Sequence, residues 1–134
     1  MGTQLSNDDK ALVGEARRII SLRYKENWHH IGCALRTRSG KIFSVVHLEA
    51  HVGRIAVCAE AVTIGMAAAL GDTEIDTIVA VNRNGEVVAP CGMCRELISD
   101  YAPMARVIVP GECGEEVVPV TGLLPNKYVR KSEA

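Results

Sequence analysis

Cys58-Ala59-Glu60, followed further along by Pro90-Cys91-Gly92-Met93-Cys94, is the pair of segments that decides both fold and chemistry. The three cysteines supply soft thiolate donors, and Glu60 adds a carboxylate that metal binding does not require. Three protein donors leave a zinc ion with one open position, the arrangement of a catalytic site rather than a structural one. Water in that position becomes a nucleophile near neutral pH, and a carboxylate beside it can carry its protons. Both segments stand where a loop enters a helical pattern. Helix N-termini present free N–H groups and a partial positive charge, which favour thiolate over thiol. Cys91 and Cys94 share one helical face, while Cys58 comes from a different helix and would clamp the ion between two elements. Glu60 falls two residues past Cys58, close to the ion without having to bind it.

Working outward, Ser6-Asn7-Asp8-Asp9 reads as a helix start, with a capping side chain and acidic residues in the first turn. Leu12, Val13, Ala16, Ile19, Ile20 and Leu22 continue at helical spacing, which predicts a helix over roughly 8–24. Ile31 to Arg36 and Lys41 to Leu48 read as strands joined by a short turn at Arg38-Ser39-Gly40. Val57 to Leu70 suits a buried helix stopped by Gly71. Ile75 to Val81 is an apolar strand, and Asn84-Gly85 a turn. Cys91 to Tyr101 is predicted helical, with Pro103 after it. Arg106 to Val109 and Val117 to Val120 read as strands, Leu123-Leu124-Pro125 closes the domain, and Lys131 to Ala134 is a tail. Helices alternating with strands predict an α/β layered fold over residues 1–134, with no second domain.

The 134 residues suffice for one core, and 48% of them are hydrophobic. The formal net charge of -1 gives no electrostatic footprint for duplex nucleic acid or an anionic membrane. No apolar run approaches the ~20 residues that cross a bilayer. Met1 to Lys10 lacks the basic and apolar regions of a secretion signal, so a cytoplasmic location is expected. Five cysteines then read as thiols or ligands rather than disulfides.

Spacing alone leaves structural and catalytic zinc both open. A structural site would take a fourth ligand from Cys33, Cys113, His47 or His51. A redox Cys-x-x-Cys pair is disfavoured, because it lacks a preceding βαβ context and leaves Cys58 unexplained. The fuller pattern, a ligand-x-Glu segment followed by Pro-Cys-x-x-Cys, matches the zinc nucleobase-deaminase signature. With Cys as the first ligand, Cys58-Ala59-Glu60 and Pro90-Cys91-Gly92-Met93-Cys94-Arg95 resemble the small cytidine deaminases and their relatives, the blasticidin S deaminases. Ile31-Gly32-Cys33-Ala34-Leu35 with Ser39-Gly40-Lys41-Ile42-Phe43 resembles that family's first hairpin. Leu123-Leu124-Pro125-Asn126-Lys127-Tyr128 resembles its C-terminal segment, and the Tyr-Val that ends it is closer to the blasticidin branch.

The resemblance implies a three-layer α/β/α fold with a mixed sheet of about five strands. It implies Zn²⁺ held by Cys58, Cys91 and Cys94, and Glu60 as proton shuttle in hydrolytic replacement of a ring amino group, with release of ammonia. Arg95 follows the last ligand, where the family's arginine hydrogen-bonds a thiolate and offsets the negative charge of the site. Glu96 stands where the family commonly has Gln. On the substrate side, the family's Asn-x-Glu-Asn segment is replaced by His47-Leu48-Glu49-Ala50. Glu49 keeps a carboxylate for a sugar hydroxyl, and His47 either replaces an amide as donor or caps a strand end. Ala59 is carried over as a substrate contact. Tyr128 falls where the family places an aromatic that closes a site, often a neighbour's, in a homotetramer. A cytidine-like nucleoside is the leading substrate class. Blasticidin S or another aminated heterocycle is the alternative, and an inactive zinc-stabilised binding module a second one that the intact Glu60 opposes.

Overall fold

The computed structural model of the protein describes residues 2–131. Of the tail expected over Lys131 to Ala134, only Lys131 therefore lies within the described residues.

The first helix, α1 (Asn7–Arg23), starts where its capping residues place it. The Ser6 hydroxyl accepts from the Asp9 N–H and the Asp9 carboxylate accepts from the Ser6 N–H, a reciprocal capping box. Leu12, Val13, Ala16 and Ile20 form its buried stripe. Two strands follow, β1 (Gly32–Thr37) and β2 (Ile42–Val46), paired antiparallel. Gly40 takes the positive φ that their turn requires. Gly32 is needed for another reason: a Cβ there would stand 2.7 Å from the Ala16 carbonyl oxygen, so α1 can lie this close to β1 only over glycine.

Helix α2 (Ala59–Ala69) and strand β3 (Ile75–Val81) come next. A two-residue strand, β4 (Val87–Val88), then leads directly into Pro90 and Cys91 and the third helix, α3 (Gly92–Tyr101). A hairpin of β5 (Arg106–Gly111) and β6 (Gly114–Pro119) and a 3₁₀ turn (Val120–Leu123) complete the chain. Strand order is β2-β1-β3-β5-β6. The sheet is mixed: β3 and β5 run parallel, and the remaining pairs are antiparallel. The second edge of β3 is divided, with Thr77 and Ile78 paired to β5 and Ala80 and Val81 paired to β4.

Period-two alternation sends successive side chains to opposite faces. Ala34, Val79, Val81 and Ile108 pack under α1. Cys33, Leu35, Ile78, Val107 and Val109 pack with Ile64 and Ala67 of α2 and Ile98 of α3. The three-layer expectation therefore holds, with six strands in place of about five. The added strand is β4, too short to leave a hydrophobic period. The last hairpin is longer than expected because its tip and outer half are polar (Glu112, Glu115, Glu116) and lie at the sheet's edge. Leu48, expected inside the second strand, forms an isolated bridge with Val57 instead.

Candidate active site

Two loop-to-helix junctions on one side of the sheet build the site. Cys58 is the N-cap residue of α2 and Cys91 that of α3, both in extended backbone conformation. Extended geometry at an N-cap turns the side chain toward the free N–H groups of the first turn. Cys94 sits one turn into α3 and is buried, while Cys58 is half-buried and Cys91 exposed. Cys58 Sγ lies 3.8 Å from Cys91 Sγ, and the sulfurs of Cys58, Cys91 and Cys94 all fall within 4.8 Å of one another.

That spacing fits the ion the sequence implies. Sulfurs about 2.3 Å from a tetrahedral zinc stand about 3.8 Å apart. Among the described residues no fourth His, Cys, Asp or Glu joins the group, so Cys33, Cys113, His47 and His51 do not close the coordination. The donor set is the open kind.

Glu60 enters from the first turn of α2, only 6% exposed, and Cys94 Sγ lies 3.6 Å from its Oε1. Burial raises the Glu60 carboxyl above its ordinary value, against the lowering effect of its own N–H and the Cys94 thiol. Burial also raises Cys94 strongly, and the Glu60 charge adds to this. Cys58 is raised, again chiefly by burial. Burial acts in the same sense on Cys91, but the N–H groups of Cys94 and Met93 with the neighbouring thiols bring it below the usual thiol value. Buried acids in contact are stable as anions only beside a compensating cation, which is the role a divalent ion would fill. Beneath Glu60 lie Cys33, whose thiol burial raises well above the usual value against the lowering effect of the Thr63 hydroxyl, and Thr63 itself, fully buried. The sequence offered Cys33 as a possible fourth ligand, a place the structure does not give it, and Thr63 carried no motif.

Residues 6–110 match the sequence profile of the cytidine and deoxycytidylate deaminase zinc-binding region. The chain belongs to that deaminase family. It is 47% identical over 136 aligned residues to a blasticidin-S deaminase of Bacillus cereus, with 94% of this chain and 96% of the relative covered. Among solved structures it is similar to a cytidine deaminase of Burkholderia pseudomallei (25% identity, TM-score 0.76, 92% and 100% of the two chains covered). It is also similar to one of Mycobacterium leprae (25% identity, TM-score 0.71, 91% and 100% covered). The protein is a zinc-dependent hydrolytic deaminase, and its three-cysteine group can hold the ion.

The other residues that this deaminase's motifs singled out take varied places. Arg95 donates from Nε to the Pro90 carbonyl (2.9 Å) and from a terminal nitrogen to the Leu123 carbonyl (3.2 Å). It thus ties the turn carrying Cys91 to the 3₁₀ turn near the C-terminus. Ala59 is buried between Cys58 and Glu60. His47 and Glu49 reach the neighbourhood through the Leu48–Val57 bridge, since Val57 immediately precedes Cys58. Tyr128 is 76% exposed and lines a surface depression with Glu96, Asp100 and Tyr101. Glu96 lies 3.9 Å from the Lys127 ammonium, which also pairs with Asp100, so these acids hold the C-terminal segment on α3.

Proposed function

We propose that this deaminase acts on the aminopyrimidine ring of a nucleoside of the blasticidin S type, in preference to unmodified cytidine. One observation carries the choice. The chain is 47% identical to a blasticidin-S deaminase, against 25% to the cytidine deaminases, and in keeping with this its sugar-side segment is His47-Leu48-Glu49-Ala50, without the paired amides of a cytidine pocket.

Cys58, Cys91 and Cys94 are the ligands in this reading. Zinc bound there supplies the Lewis acidity that makes water a nucleophile near neutral pH. Glu60 then moves the protons: from the attacking water, to the ring nitrogen, and to the departing amine, which leaves as ammonia. A carboxyl raised by burial suits this exchange, since a raised value holds a proton more readily than an ordinary carboxylate does and can still release it. Ala59, the small residue between ligand and shuttle, lets the ring approach both. Glu49 accepts from a sugar hydroxyl. Arg95 steadies the Cys91 turn through the Pro90 and Leu123 carbonyls.

Residues 1–134 act as one cytoplasmic domain that assembles as a homotetramer. Large apolar side chains left exposed on one copy support the assembly, among them Ile42, Val52, Ile55, Met66 and Leu70. The exposed Tyr128 then closes a neighbouring copy's site. No described helix is long and apolar enough to cross a membrane.

A substrate panel of cytidine, deoxycytidine, cytosine, blasticidin S and aminopurines, followed by ammonia release and ultraviolet change, tests the choice. Blasticidin S is expected to exceed cytidine in kcat/KM by at least about a hundredfold, the scale that a difference in one pocket contact provides. Equal or better turnover of cytidine would overturn it.

A further inference from the structure

The two sequence-level readings of His47, strand-end cap and donor, prove to be parts of one arrangement. Its Nδ1 faces two backbone donors, the N–H of His30 at 2.8 Å and that of Ile31 at 3.3 Å. A neutral imidazole has one accepting and one donating nitrogen, so an Nδ1 that accepts places the proton on Nε2. That Nε2 stands 3.7 Å from Glu49 Oε2. Contacts of this length are common before a substrate is bound and tighten afterwards.

The backbone under both groups is fixed. The His47 N–H donates to the Ile31 carbonyl (2.9 Å), and the Glu49 N–H to the Trp28 carbonyl (3.1 Å). Leu48 between them exchanges both hydrogen bonds with Val57, at 3.0 and 2.9 Å. The ring itself is packed edge-on against His30, with centroids 5.5 Å apart, and only 14% of the side chain is exposed. The Glu49 side chain, by contrast, is 42% exposed, and among the described residues it accepts a hydrogen bond only from the adjacent Ala50 N–H at 3.2 Å. A long carboxylate so loosely held would spread over several rotamers, and a rigid donor beside it selects among them.

We propose that His47 is a positioning residue for Glu49: two main-chain amides lock its tautomer so that Nε2–H orients the carboxylate toward the substrate. This rests on the reading of Glu49 as the acceptor for a sugar hydroxyl. His47 itself touches no reacting atom, so its effect falls on substrate binding rather than on turnover.

The test uses the full-length, zinc-loaded enzyme with blasticidin S and cytidine, and the variants His47→Asn, His47→Gln, Glu49→Gln and His47→Asn/Glu49→Gln. Asn keeps an acceptor in the Nδ1 place and nothing in the Nε2 place, while Gln does the reverse. His47→Asn is expected to keep the wild-type melting temperature and to raise KM about tenfold with kcat little changed. Glu49→Gln should match it, and the double variant should be no worse than Glu49→Gln alone. His47→Gln should instead lose thermal stability. A wild-type KM for His47→Asn where Glu49→Gln raises KM overturns the proposal, as does simple additivity of the two. Should Glu49→Gln itself leave KM unchanged, the sugar-acceptor reading fails, and imidazole nitrogen resonances decide the coupling. Glu49→Gln must then shift the His47 Nε2 signal in a ring protonated at Nε2, and an unmoved signal or a proton on Nδ1 rejects it.

Discussion

The Arg95 guanidinium reaches the carbonyls of Pro90 and Leu123, which are neutral acceptors at a distance from each other in sequence. A planar fork of donors can serve both at once, and a lysine ammonium cannot do so with the same geometry. The arginine thereby holds the turn that presents Cys91, and the proposed route of its influence on a bound metal is backbone position. Arg95→Ala is expected to weaken zinc retention by about tenfold to a hundredfold, with Arg95→Lys giving little rescue, when chelator competition is followed by metal analysis. Retention equal to wild type in Arg95→Ala would show the turn to be self-supporting. At this scale the three-cysteine group was legible because metal chemistry restricts such a group to a few residue types at short spacing. The partners of Arg95 were not, since any residue can supply a carbonyl and only the fold brings Leu123 near.

Helix α1 is joined to the sheet by charge as well as by its apolar stripe. Asp9, 1% exposed, meets the Arg36 guanidinium at 3.2 Å and that of Arg106 at 3.6 Å, and both arginines also meet Asp76. Burial alone would raise the Asp9 carboxyl, but the Ser6 N–H, Arg36, the Ser6 hydroxyl and Arg106 together hold it below its ordinary value. Asp76 is likewise lowered, against burial, by Arg36, Thr77 and Arg106. Groups lowered in the folded state contribute stability that is fully present above the unfolded carboxylate pKa and lost as pH falls through the folded one. Thermal stability should therefore hold from neutrality into mild acid and decline only below the ordinary carboxylate range. Asp9→Ala, which removes the capping box and leaves two guanidinium groups short of a partner, should cost about 2–4 kcal/mol in denaturant unfolding near neutral pH and flatten part of that acid decline. A loss under about 0.5 kcal/mol would place Asp9 among ordinary surface residues. The start of this helix could be read from Ser6 and Asp9 because capping is local. The network could not, because Arg36, Asp76 and Arg106 come from three strands whose adjacency is a property of the sheet. Strand β4 escaped for a related reason: two residues carry no period, yet their pairing with Ala80 and Val81 is what delivers Cys91.

For the whole molecule, the open donor set and the buried carboxylate beside it support one proposal: the site is built to hydrolyse, with Glu60 as its proton carrier. The fold was legible to the level of layers, since apolar strands buried on both faces demand helices above and below. The substrate is less legible because its recognition depends on the His47 to Glu49 segment, where the residue types permit several hydrogen-bond arrangements. The direct measurement is ammonia release by Glu60→Gln, with zinc content and melting temperature determined on the same sample. The carboxamide keeps the shape and cannot exchange the protons. Full zinc occupancy with turnover reduced by at least about a thousandfold is the predicted result. A Glu60→Gln enzyme that binds zinc and releases ammonia at the wild-type rate would contradict it.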